Sequence, residues 1–599
     1  MTCPCSGNGS PMQSVHLVLL MAMAMATATM ATTTTLTSLT SLTSCSYYVL
    51  FLLCAPCTLV HANTVWPMPA MLDLSLTPIQ PLSHQLANTL LSSTVSVSPS
   101  FQFYTEGPTN EYVQAAARRA LKIITHTQSS RHTHVLKRAS EGELASCSVR
   151  IQDASTELTQ QTSEQYTLDV DAQTLSCSIV GETYVGAVHA LESFVQLVDT
   201  YTMTISATSI KDKPRYAFRA LLVDTSRHFY PVETLLTNLD AMAMTKMNIM
   251  HWHIVDSNSF PYVSSTFPEM SKQGAWAPHH VYSHEDVATV IEYAKARGIR
   301  VMVEFDTPGH VDAGYAAIPG ILTQCYDKTT GQPDGTTGPL DPTNESTYDF
   351  LEKLYTEIKA VFPDKYVHVG GDEVPFGCWE SNPSIAKWMA AHPNVTDAAK
   401  LEQYYELRLL DILKRLGFSY MCWQEIFDNG VQILPDTIVN VWKGGSDDTA
   451  LKKELQAVTG AGYRAVLSAP WYLDYISYGE DWKKYYLVEP DNLCDNCELF
   501  GVEACMWSEY VDATNFISRS WPRTGTLAER AWSPKNVKDV DAASPRLNEL
   551  RCKMILRGIR AEPIHPSFCL TEWPGDAEAE TVRASIRRAG LDMRAESYR

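Results

Sequence analysis

Short apolar runs alternate with helix-length segments over the larger part of the chain, between residues 214 and 570. The runs are Ala220 to Val223, Asn248 to Val255, Arg300 to Phe305, Tyr366 to Val369, Phe418 to Trp423, Thr437 to Trp442, Arg464 to Leu467 and Val502 to Trp507. The helix-length segments include Glu233 to Thr245, Glu285 to Arg297, Tyr348 to Val361, Asp397 to Leu416, Thr449 to Thr459 and the short Thr526 to Ala531. Eight strands with helices between them predict an α/β fold, a (β/α)8 TIM barrel over 214–570. A doubly wound open sheet is the competing architecture, but no glycine-rich phosphate-binding sequence follows the first strand.

Residues 63–213 contain both helix-like and strand-like spacings of apolar residues and predict a small α/β support domain. Asn110 to Thr125 and Val185 to Leu197 are predicted helices, and Gln165 to Val170 and Thr174 to Val180 are predicted strands. The polar, proline-containing segment Lys211 to Arg215 marks the boundary with the barrel. Residues 571–599 form a polar C-terminal tail.

Residues 1–62 are typical of a leader segment rather than of folded structure. Two uncharged apolar runs, His16 to Met30 and Tyr47 to Val60, flank a stretch of Thr, Leu and Ser, and Val60-His61-Ala62 resembles a cleavage site. Each run is shorter than the ~20 apolar residues that a membrane span needs, so a removed leader is expected. A retained membrane anchor is the alternative. A later initiator Met is a second alternative.

Charge and cysteine use narrow the class of protein. The formal net charge of −20 is spread along the chain and disfavours a general nucleic-acid or anionic-membrane partner, because like charges repel. Ten cysteines follow the leader, and none forms a convincing zinc set, so disulfides are the better interpretation. The sequons at Asn344 and Asn394 also predict a glycoprotein of the secretory pathway, lysosomal, vacuolar or extracellular.

The stretch His368 to Glu373 joins a short predicted strand to two adjacent carboxylates through a glycine pair. Adjacent side chains on an extended backbone point to opposite sides, so Asp372 and Glu373 can perform different tasks. Taken alone, such a pair of acids more often lies in a loop and is exposed to solvent without a special role. The residues that follow the other predicted strands change that interpretation.

Acidic and aromatic residues recur at the carboxyl ends of the predicted strands, where a barrel of this kind builds its active site. They are Asp224, Arg227, Asp256, Asp306, His310, Asp372, Glu373, Trp423, Glu425, Trp442, Trp471, Tyr472, Asp474, Trp507 and Glu509. Aromatic rings stack on the apolar faces of sugars, and carboxylates and Arg bind hydroxyls, so the set predicts a carbohydrate pocket with four tryptophans.

Five motifs in one order resemble the β-N-acetylhexosaminidases of glycoside hydrolase family 20. They are Arg219 to His228, His251 to Asp256, Glu304 to His310, His368 to Glu373 and Ala504 to Tyr510. The resemblance extends from Asn63 to about Cys569. It implies hydrolysis of terminal β-linked GlcNAc or GalNAc from glycans by a substrate-assisted retaining mechanism, with no cofactor and no metal.

The resemblance also implies roles for individual residues. Glu373 would be the general acid and base, and Asp372 and Tyr472 would hold the acetamido group of the substrate. Arg227 and Glu509 would bind ring hydroxyls, and Trp423, Trp442 and Trp507 would wall the pocket. His310 and Asp256 would support Glu373, although a purely structural network at the barrel rim is the alternative for these two.

At positions 474 and 475 the chain has Asp474 and no Arg, and in this it resembles the beta-type subunits of the family. The resemblance implies a preference for neutral over sulfated sugars. The resemblance implies disulfides between Cys325 and Cys378 and between Cys552 and Cys569. The family has a third disulfide, one cysteine of which has no counterpart in this chain. A bond between Cys147 and Cys177 is expected in its place. The pairing of Cys494 and Cys497 stays open. A homodimer is also implied.

Two other readings compete. His251-Trp252-His253 is similar to the metal pair of barrel hydrolases, but the later strand ends offer acids and tryptophans instead of further His ligands. A non-catalytic glycan-binding protein on the same fold is the second reading, because fold does not fix function. Loss of either acid of the central pair would favour it, and both are present.

Overall fold

The computed structural model describes residues 65–73, 94–129, 142–199, 202–494, 497 and 499–569. The predicted leader over 1–62 and the predicted tail over 571–599 lie outside these residues. Within the described part of the chain, no helix combines the length and the apolar character that a membrane span requires.

The N-terminal part is an α/β domain around one mixed sheet. Its strands are β1 (Met71–Asp73), β2 (Thr94–Thr105), β3 (Glu143–Ile151), β4 (Tyr166–Asp171), β5 (Ser176–Gly181), β6 (Thr204–Ser206) and β7 (Thr208–Asp212). They lie side by side in the order β1-β7-β4-β5-β3-β2-β6. Two helices, α1 (Glu111–Ser129) and α2 (Tyr184–Leu197), share a hydrophobic core with the sheet. The expectation of a small α/β domain before the barrel is confirmed.

Several strands of this domain were not predicted, and β2 shows why. Serine alternates with apolar residues in its first half, and Pro99 interrupts the pattern. Proline has no backbone N–H, so it disrupts the ladder. The register between β2 and β3 shifts accordingly between Val97 and Gln102.

Ten strands follow, of which eight close into the barrel. In chain order they are β8 (Phe218–Asp224), β9 (Ile249–Val255), β10 (Arg300–Phe305), β11 (Leu322–Tyr326), β12 (Pro333–Leu340), β13 (Tyr366–His368), β14 (Ser419–Trp423), β15 (Ile438–Val441), β16 (Arg464–Leu467) and β17 (Leu499–Met506). The closed order is β10-β13-β14-β15-β16-β17-β8-β9, with every neighbouring pair parallel. β11 and β12 form a separate antiparallel hairpin. The predicted (β/α)8 barrel is confirmed, and each of its eight strands lies at one of the apolar runs.

Helices surround this barrel and return the chain to the next strand. They are α3 (Val232–Met244), α4 (Glu269–Gly274), α5 (His284–Lys295), α6 (Glu345–Val361), α7 (Phe376–Ser381), α8 (Pro383–Ala391), α9 (Ala398–Arg415), α10 (Gln424–Asp428), α11 (Asp448–Gly460), α12 (Trp482–Leu487), α13 (Phe516–Ser520), α14 (Arg523–Trp532) and α15 (Val540–Leu556). Polar side chains cap the starts of α5, α6, α8, α9, α11 and α15. Ser283, for example, accepts from the backbone N–H of Asp286, whose carboxylate accepts in return from the N–H of Ser283.

The barrel interior is built in layers that lead up to the carboxyl ends of the strands. The lowest layer is apolar and contains Phe218, Ala220, Ile249, Met302, Tyr366, Met421, Ile438 and Val466. The middle layer is polar and fully buried, and contains His251, Glu304, His368, Asn440, Ser468 and Glu503. The top layer contains Leu222, Trp423, Tyr472 and Cys505, with Trp442 and Trp507 packed against it. Side chains two residues apart on one strand point the same way, which places the layers in register.

Four disulfides lie within the described residues. They join Cys147 to Cys177, Cys325 to Cys378, Cys494 to Cys497 and Cys552 to Cys569. Cys422 and Cys505 are buried free thiols. Disulfides are typical of proteins that fold in an oxidising compartment.

Candidate active site

A cavity of about 360 Å³ opens at the carboxyl ends of the barrel strands. Ten of the residues to which the sequence assigned a role line it: Arg227, His310, Asp372, Glu373, Trp423, Trp442, Tyr472, Asp474, Trp507 and Glu509. Asp256 does not line the cavity and lies behind Arg227 and His310. The outer wall adds Tyr475, Ile476, Tyr510 and Val511.

The two adjacent acids follow β13 and enter different environments. Gly370 and Gly371 both have positive φ, at 74° and 90°, and a Cβ at Gly370 would lie 1.7 Å from Asp306 Oδ1. Only glycine fits this turn. Glu373 also has a positive φ, of 50°, which is strained for a residue with a Cβ. As a result Asp372 is buried at 8% exposure, whereas the side chain of Glu373 is 61% exposed.

Asp306, at the end of β10, faces Asp372 from below. Its Oδ1 accepts from the backbone N–H of Gly371 at 2.9 Å. Carboxylate oxygens of Glu304, Asp306 and Asp372 lie within 4.8 Å of one another. Burial and then the charge of Asp372 raise the pKa of Asp306 well above its usual range. A protonated Asp306 can donate a hydrogen bond to an ionised Asp372, which is the division of labour expected of a close carboxyl pair.

The sequence placed Asp306 at a strand end without a role. A signal was present in the sequence, because Asp306 directly follows the buried strand that contains Glu304, two residues earlier. Two acids facing inward at the active end of one strand indicate a functional pair.

His310 brings positive charge to both acids. Its Nε2 lies 3.8 Å from Asp372 Oδ2 and 3.8 Å from Glu373 Oε2, and its Nδ1 lies 3.3 Å from Asp256 Oδ1. Burial opposes the charge, but the negative charge that Asp306 and Asp372 share, together with that of Asp256, raises the pKa of His310 above its usual value. The imidazolium is therefore the form present at neutral and acid pH.

Asp256 connects His310 to the interior of the barrel. Its Oδ2 lies 2.9 Å from His253 Nε2 and 2.8 Å from Arg227 Nη2. Burial opposes its ionisation, but His253, His310 and Arg227 hold the pKa of Asp256 below its usual range. His253 continues to Glu304 at 2.6 Å. Asp256 thus belongs to a buried chain of charges that ends on His310.

Arg227 spans the first strand end and the last. Its Nη1 donates to Asp224 at 3.2 Å, its Nε lies 4.0 Å from Glu509, and its guanidinium lies 5.0 Å from the centre of the Trp507 ring. Burial opposes the charge, but Asp224 and then Asp256 raise the pKa of Arg227 above its usual value. A fixed cation beside an exposed carboxylate and an indole face is suited to binding sugar hydroxyls.

Hydrogen bonds to buried acids fix the orientation of the aromatic walls. Trp423 Nε1 donates to Glu304 Oε1 at 2.8 Å, and Trp442 Nε1 donates to Glu425 Oε2 at 2.9 Å. Trp442 and Tyr472 stack with centroids 6.2 Å apart. The rings therefore meet a ligand with little loss of side-chain entropy.

Trp471 corrects the prediction of four pocket tryptophans. It is fully buried, and its indole N–H donates to the carbonyl of Tyr485 on α12 at 3.1 Å. Residues 471 and 472 are neighbours and point to opposite sides, so Tyr472 lines the pocket and Trp471 packs behind it.

Asp474 lies at the outer part of the pocket, near Glu509. Burial raises the pKa of Asp474 to about 7, with a smaller contribution from the charge of Glu509. Its buried Oδ1 has no hydrogen-bond partner among the described residues. Tyr475 follows it, 54% exposed, with its ring 5.5 Å from that of Tyr472.

Beneath the pocket, the histidines of the middle layer lie against carboxylates, and His251 is the one whose pKa these carboxylates raise, to about 9. His251 Nδ1 lies 2.8 Å from Glu503 and its Nε2 lies 3.0 Å from Glu304, while His368 Nδ1 lies 3.1 Å from Glu304. His251, Glu304 and His368 are close enough to hold a metal ion. They are fully buried below Trp423, however, and do not line the cavity. The geometry therefore favours a supporting network over the metal hydrolase alternative.

The family model for "Glycosyl hydrolase family 20, catalytic domain" matches residues 216–535, and the model "beta-acetyl hexosaminidase like" matches residues 65–197. The chain is 42% identical over 533 residues to the beta-hexosaminidase subunit beta of Mus musculus, covering 87% of this chain and 97% of that protein. It is 48% identical over 421 residues to the subunit alpha of Bos taurus, covering 68% and 78%.

Solved structures share the fold. The chitobiase of Flavobacterium johnsoniae superposes with a TM-score of 0.69 at 26% identity, covering 83% of this chain and 73% of that one. A mutant Streptomyces plicatus beta-hexosaminidase in complex with its product GlcNAc gives 0.64 at 20% identity, covering 85% and 98%. At that identity the second likeness concerns the fold alone.

Proposed function

The chain belongs to glycosyl hydrolase family 20 and is a glycosidase that hydrolyses terminal N-acetylhexosamine residues, and we propose that it does so by a substrate-assisted, retaining mechanism. The observation that carries the proposal is the pair at the end of β13. Asp372 is buried beside His310 and Asp306, and Glu373 stands exposed at the same cavity.

In the first step, the acetamido carbonyl oxygen of the substrate attacks the anomeric carbon as the bond to the leaving oxygen breaks. Glu373 donates its proton to that oxygen, which departs as an alcohol. The sugar becomes a bicyclic oxazolinium ion. In the second step, Glu373 takes a proton from water as the water oxygen attacks the anomeric carbon and reopens the ring. Two displacements at one carbon retain its configuration.

Asp372 and Tyr472 are suited to hold the acetamido group during both steps. An ionised Asp372 accepts from the acetamido N–H and stabilises the positive charge that develops on the ring. His310 Nε2 lies 3.8 Å from Asp372 Oδ2. Burial raises the pKa of Tyr472 well above its usual value, so its hydroxyl keeps a proton to donate to the acetamido oxygen.

Recognition of the sugar itself is assigned to the walls of the pocket. Arg227 and Glu509 bind hydroxyls at one side, and Trp423, Trp442 and Trp507 pack on the apolar faces of the ring. Asp474 and Tyr475 present no cation to a sulfate. We therefore assign neutral terminal β-linked GlcNAc and GalNAc as the preferred substrates.

The first test compares two chromogenic substrates at mildly acid pH, the N-acetylglucosaminide and the glucoside without the acetamido group. Cleavage of the first and near silence on the second is the expected result. Equal rates on both would contradict substrate assistance. Absence of both rates in folded protein would support the glycan-binding alternative. A 6-sulfated N-acetylglucosaminide, added to the comparison, is expected to react more slowly than the neutral sugar.

The setting of the enzyme is proposed on separate grounds. The disulfides support the secretory pathway, with a lysosomal, vacuolar or extracellular destination. Asn394 lies exposed in the loop between α8 and α9, and Asn344 caps α6 through the N–H of Ser346. Both are proposed to carry glycans, and the family relationship supports a homodimer. Glycosidase digestion followed by mass spectrometry, and light scattering of the secreted protein, test these points.

A further inference from the structure

A second cavity, of about 70 Å³, lies between the N-terminal domain and the helices around the barrel. Its charged lining consists of Arg119 of α1, Glu192 of α2, Asp240 of α3, Arg297 after α5 and Arg557 after α15. Arg297 precedes β10, whereas the catalytic residues follow the strands. The cavity is therefore at the opposite end of the barrel from the active site.

Both acids of this cavity are already engaged. Glu192 accepts from Arg557 Nη1 at 2.8 Å through one oxygen, and from Gln196 Nε2 at 2.9 Å through the other. Asp240 accepts from Arg297 Nε at 2.8 Å and from the hydroxyl of Tyr293 at 3.0 Å. Two arginines thus have a carboxylate each.

The third arginine has no such partner. Arg119 is 8% exposed, and its Nη2 donates to the carbonyl of Ala296 at 2.7 Å. Its Nη1 is buried and, among the residues that the structure describes, has no hydrogen-bond partner and no carboxylate at ion-pair distance. Burial and then the charge of Arg297 lower the pKa of Arg119 to about 9. A buried cation without a counter-charge is costly, and a bound anion would remove that cost.

We propose that this cavity binds a small monovalent inorganic anion, with chloride as its representative, through Nη1 of Arg119. Three arginines and two carboxylates leave one uncompensated positive charge, which a single negative charge neutralises. A water molecule occupies roughly 30 Å³ of liquid, so the cavity has room for a hydrated halide and none for a sugar or nucleotide. Guanidinium groups are weakly hydrated and suit such anions.

The bound anion connects the two domains. Arg119 belongs to the N-terminal domain, and Ala296 and Arg297 belong to the barrel. Because the anion binds the folded protein and not the unfolded chain, it stabilises the fold by RT ln(1 + [L]/Kd), where [L] is the free anion concentration. Activity at the distant pocket does not depend on it.

The test is a titration of the secreted full-length protein with sodium chloride against sodium gluconate at equal ionic strength. Gluconate is too large for the cavity. The expected result is a rise in Tm of roughly 2 °C with chloride, which grows with the logarithm of the chloride concentration and is reproduced by bromide and nitrate. Arg119→Leu is expected to abolish the rise. Arg118→Leu, on the exposed side of the same helix, is the matched control and keeps it. Equal Tm values in the two salts, or a chloride response that survives in Arg119→Leu, would overturn the proposal.

A second measurement decides the matter if Arg119→Leu fails to fold. Crystals of the wild-type protein grown with bromide are expected to show an anomalous peak beside Nη1 of Arg119. Density for water alone there would refute the anion. The rate on the chromogenic N-acetylglucosaminide is expected to be the same in chloride and gluconate. A rate that follows chloride while Tm does not would place the anion elsewhere and overturn the proposal.

Discussion

Two buried groups of carboxylates, one layer apart in the barrel, differ in how their oxygens are used. In the middle layer, Glu304 accepts from Trp423 and His253, and Glu503 accepts from Asn440, Ser468 and His251. At the rim, Asp372 Oδ1 is buried and has no hydrogen-bond partner among the described residues. The carboxylates of the middle layer are hydrogen-bonded and stabilise the fold, whereas the unpartnered oxygen of Asp372 at the rim is available to a ligand. The two layers should therefore respond to substitution in opposite ways.

The largest expected effect is on catalysis alone, from Glu373→Gln. Loss of a general acid and base costs about 100- to 10,000-fold in kcat. The side chain is 61% exposed, so Tm should stay within about 1 °C of the wild type. Steady-state kinetics and differential scanning fluorimetry on the same preparation check both halves. A large fall in Tm would mean that the rim is structural after all.

The reverse is expected of Glu304→Gln in the middle layer. Removing one charge of a buried ion-pair network leaves its partners uncompensated and costs about 3–5 kcal/mol. Denaturant unfolding of the variant measures this loss. Glu373→Gln serves as the control from the other layer. An unfolding free energy equal to that of the wild type would show that His251 and His253, which contact Glu304, need no counter-charge.

A smaller effect is expected at Asp306, where donor ability is the variable. Asp306→Asn keeps an N–H that can donate to Asp372, whereas Asp306→Leu removes the donor. The Leu variant should lose about tenfold in kcat, the value of one hydrogen bond of ~1.4 kcal/mol, and the Asn variant should lose less. KM should change little in both. Equal losses in the two variants would show that Asp306 acts through packing or charge rather than as a donor.

The most gradual effect is the dependence of stability on pH. Burial opposes the charge of His251 and His253, but Glu503 and Glu304 raise their pKa values from 6.5 to about 9 and about 10. A raised folded pKa gives stability that is complete below pH 6.5 and is lost as pH rises through 9 and 10. Urea unfolding at successive pH values should therefore show declining stability on the alkaline side. A flat profile from pH 6.5 to 10 would contradict protonated His251 and His253.

The sequence predicts the barrel well because its strands are buried on both faces and appear as continuous apolar runs. Arg300–Phe305 and Arg464–Leu467 coincide with the predicted bounds. The half-exposed strands of the N-terminal domain carry serine and threonine at outward positions, and β2 and β3 were missed for that reason.

For the site, the rule that barrel strands end at the pocket placed Arg227, Asp372 and Trp507 correctly at one cavity. The sequence could not show which side chains at a strand end face the pocket and which pack behind it. Trp471 and Tyr472 are neighbours, and only the structure shows which one faces the pocket. The pairing of Asp306 with Asp372 likewise depends on the positive-φ turn at Gly370 and Gly371, which a sequence motif does not specify.

In the proposed mechanism, the acetamido group of the substrate is the nucleophile and Asp372 holds it. The most direct test measures kcat on chromogenic N-acetyl-, N-fluoroacetyl-, N-difluoroacetyl- and N-trifluoroacetylglucosaminides, in which each fluorine weakens the carbonyl oxygen as a nucleophile. The wild-type enzyme should show a steep, monotonic fall in log kcat along the series. A flat series would mean that a protein side chain or water attacks the anomeric carbon, and would contradict the account.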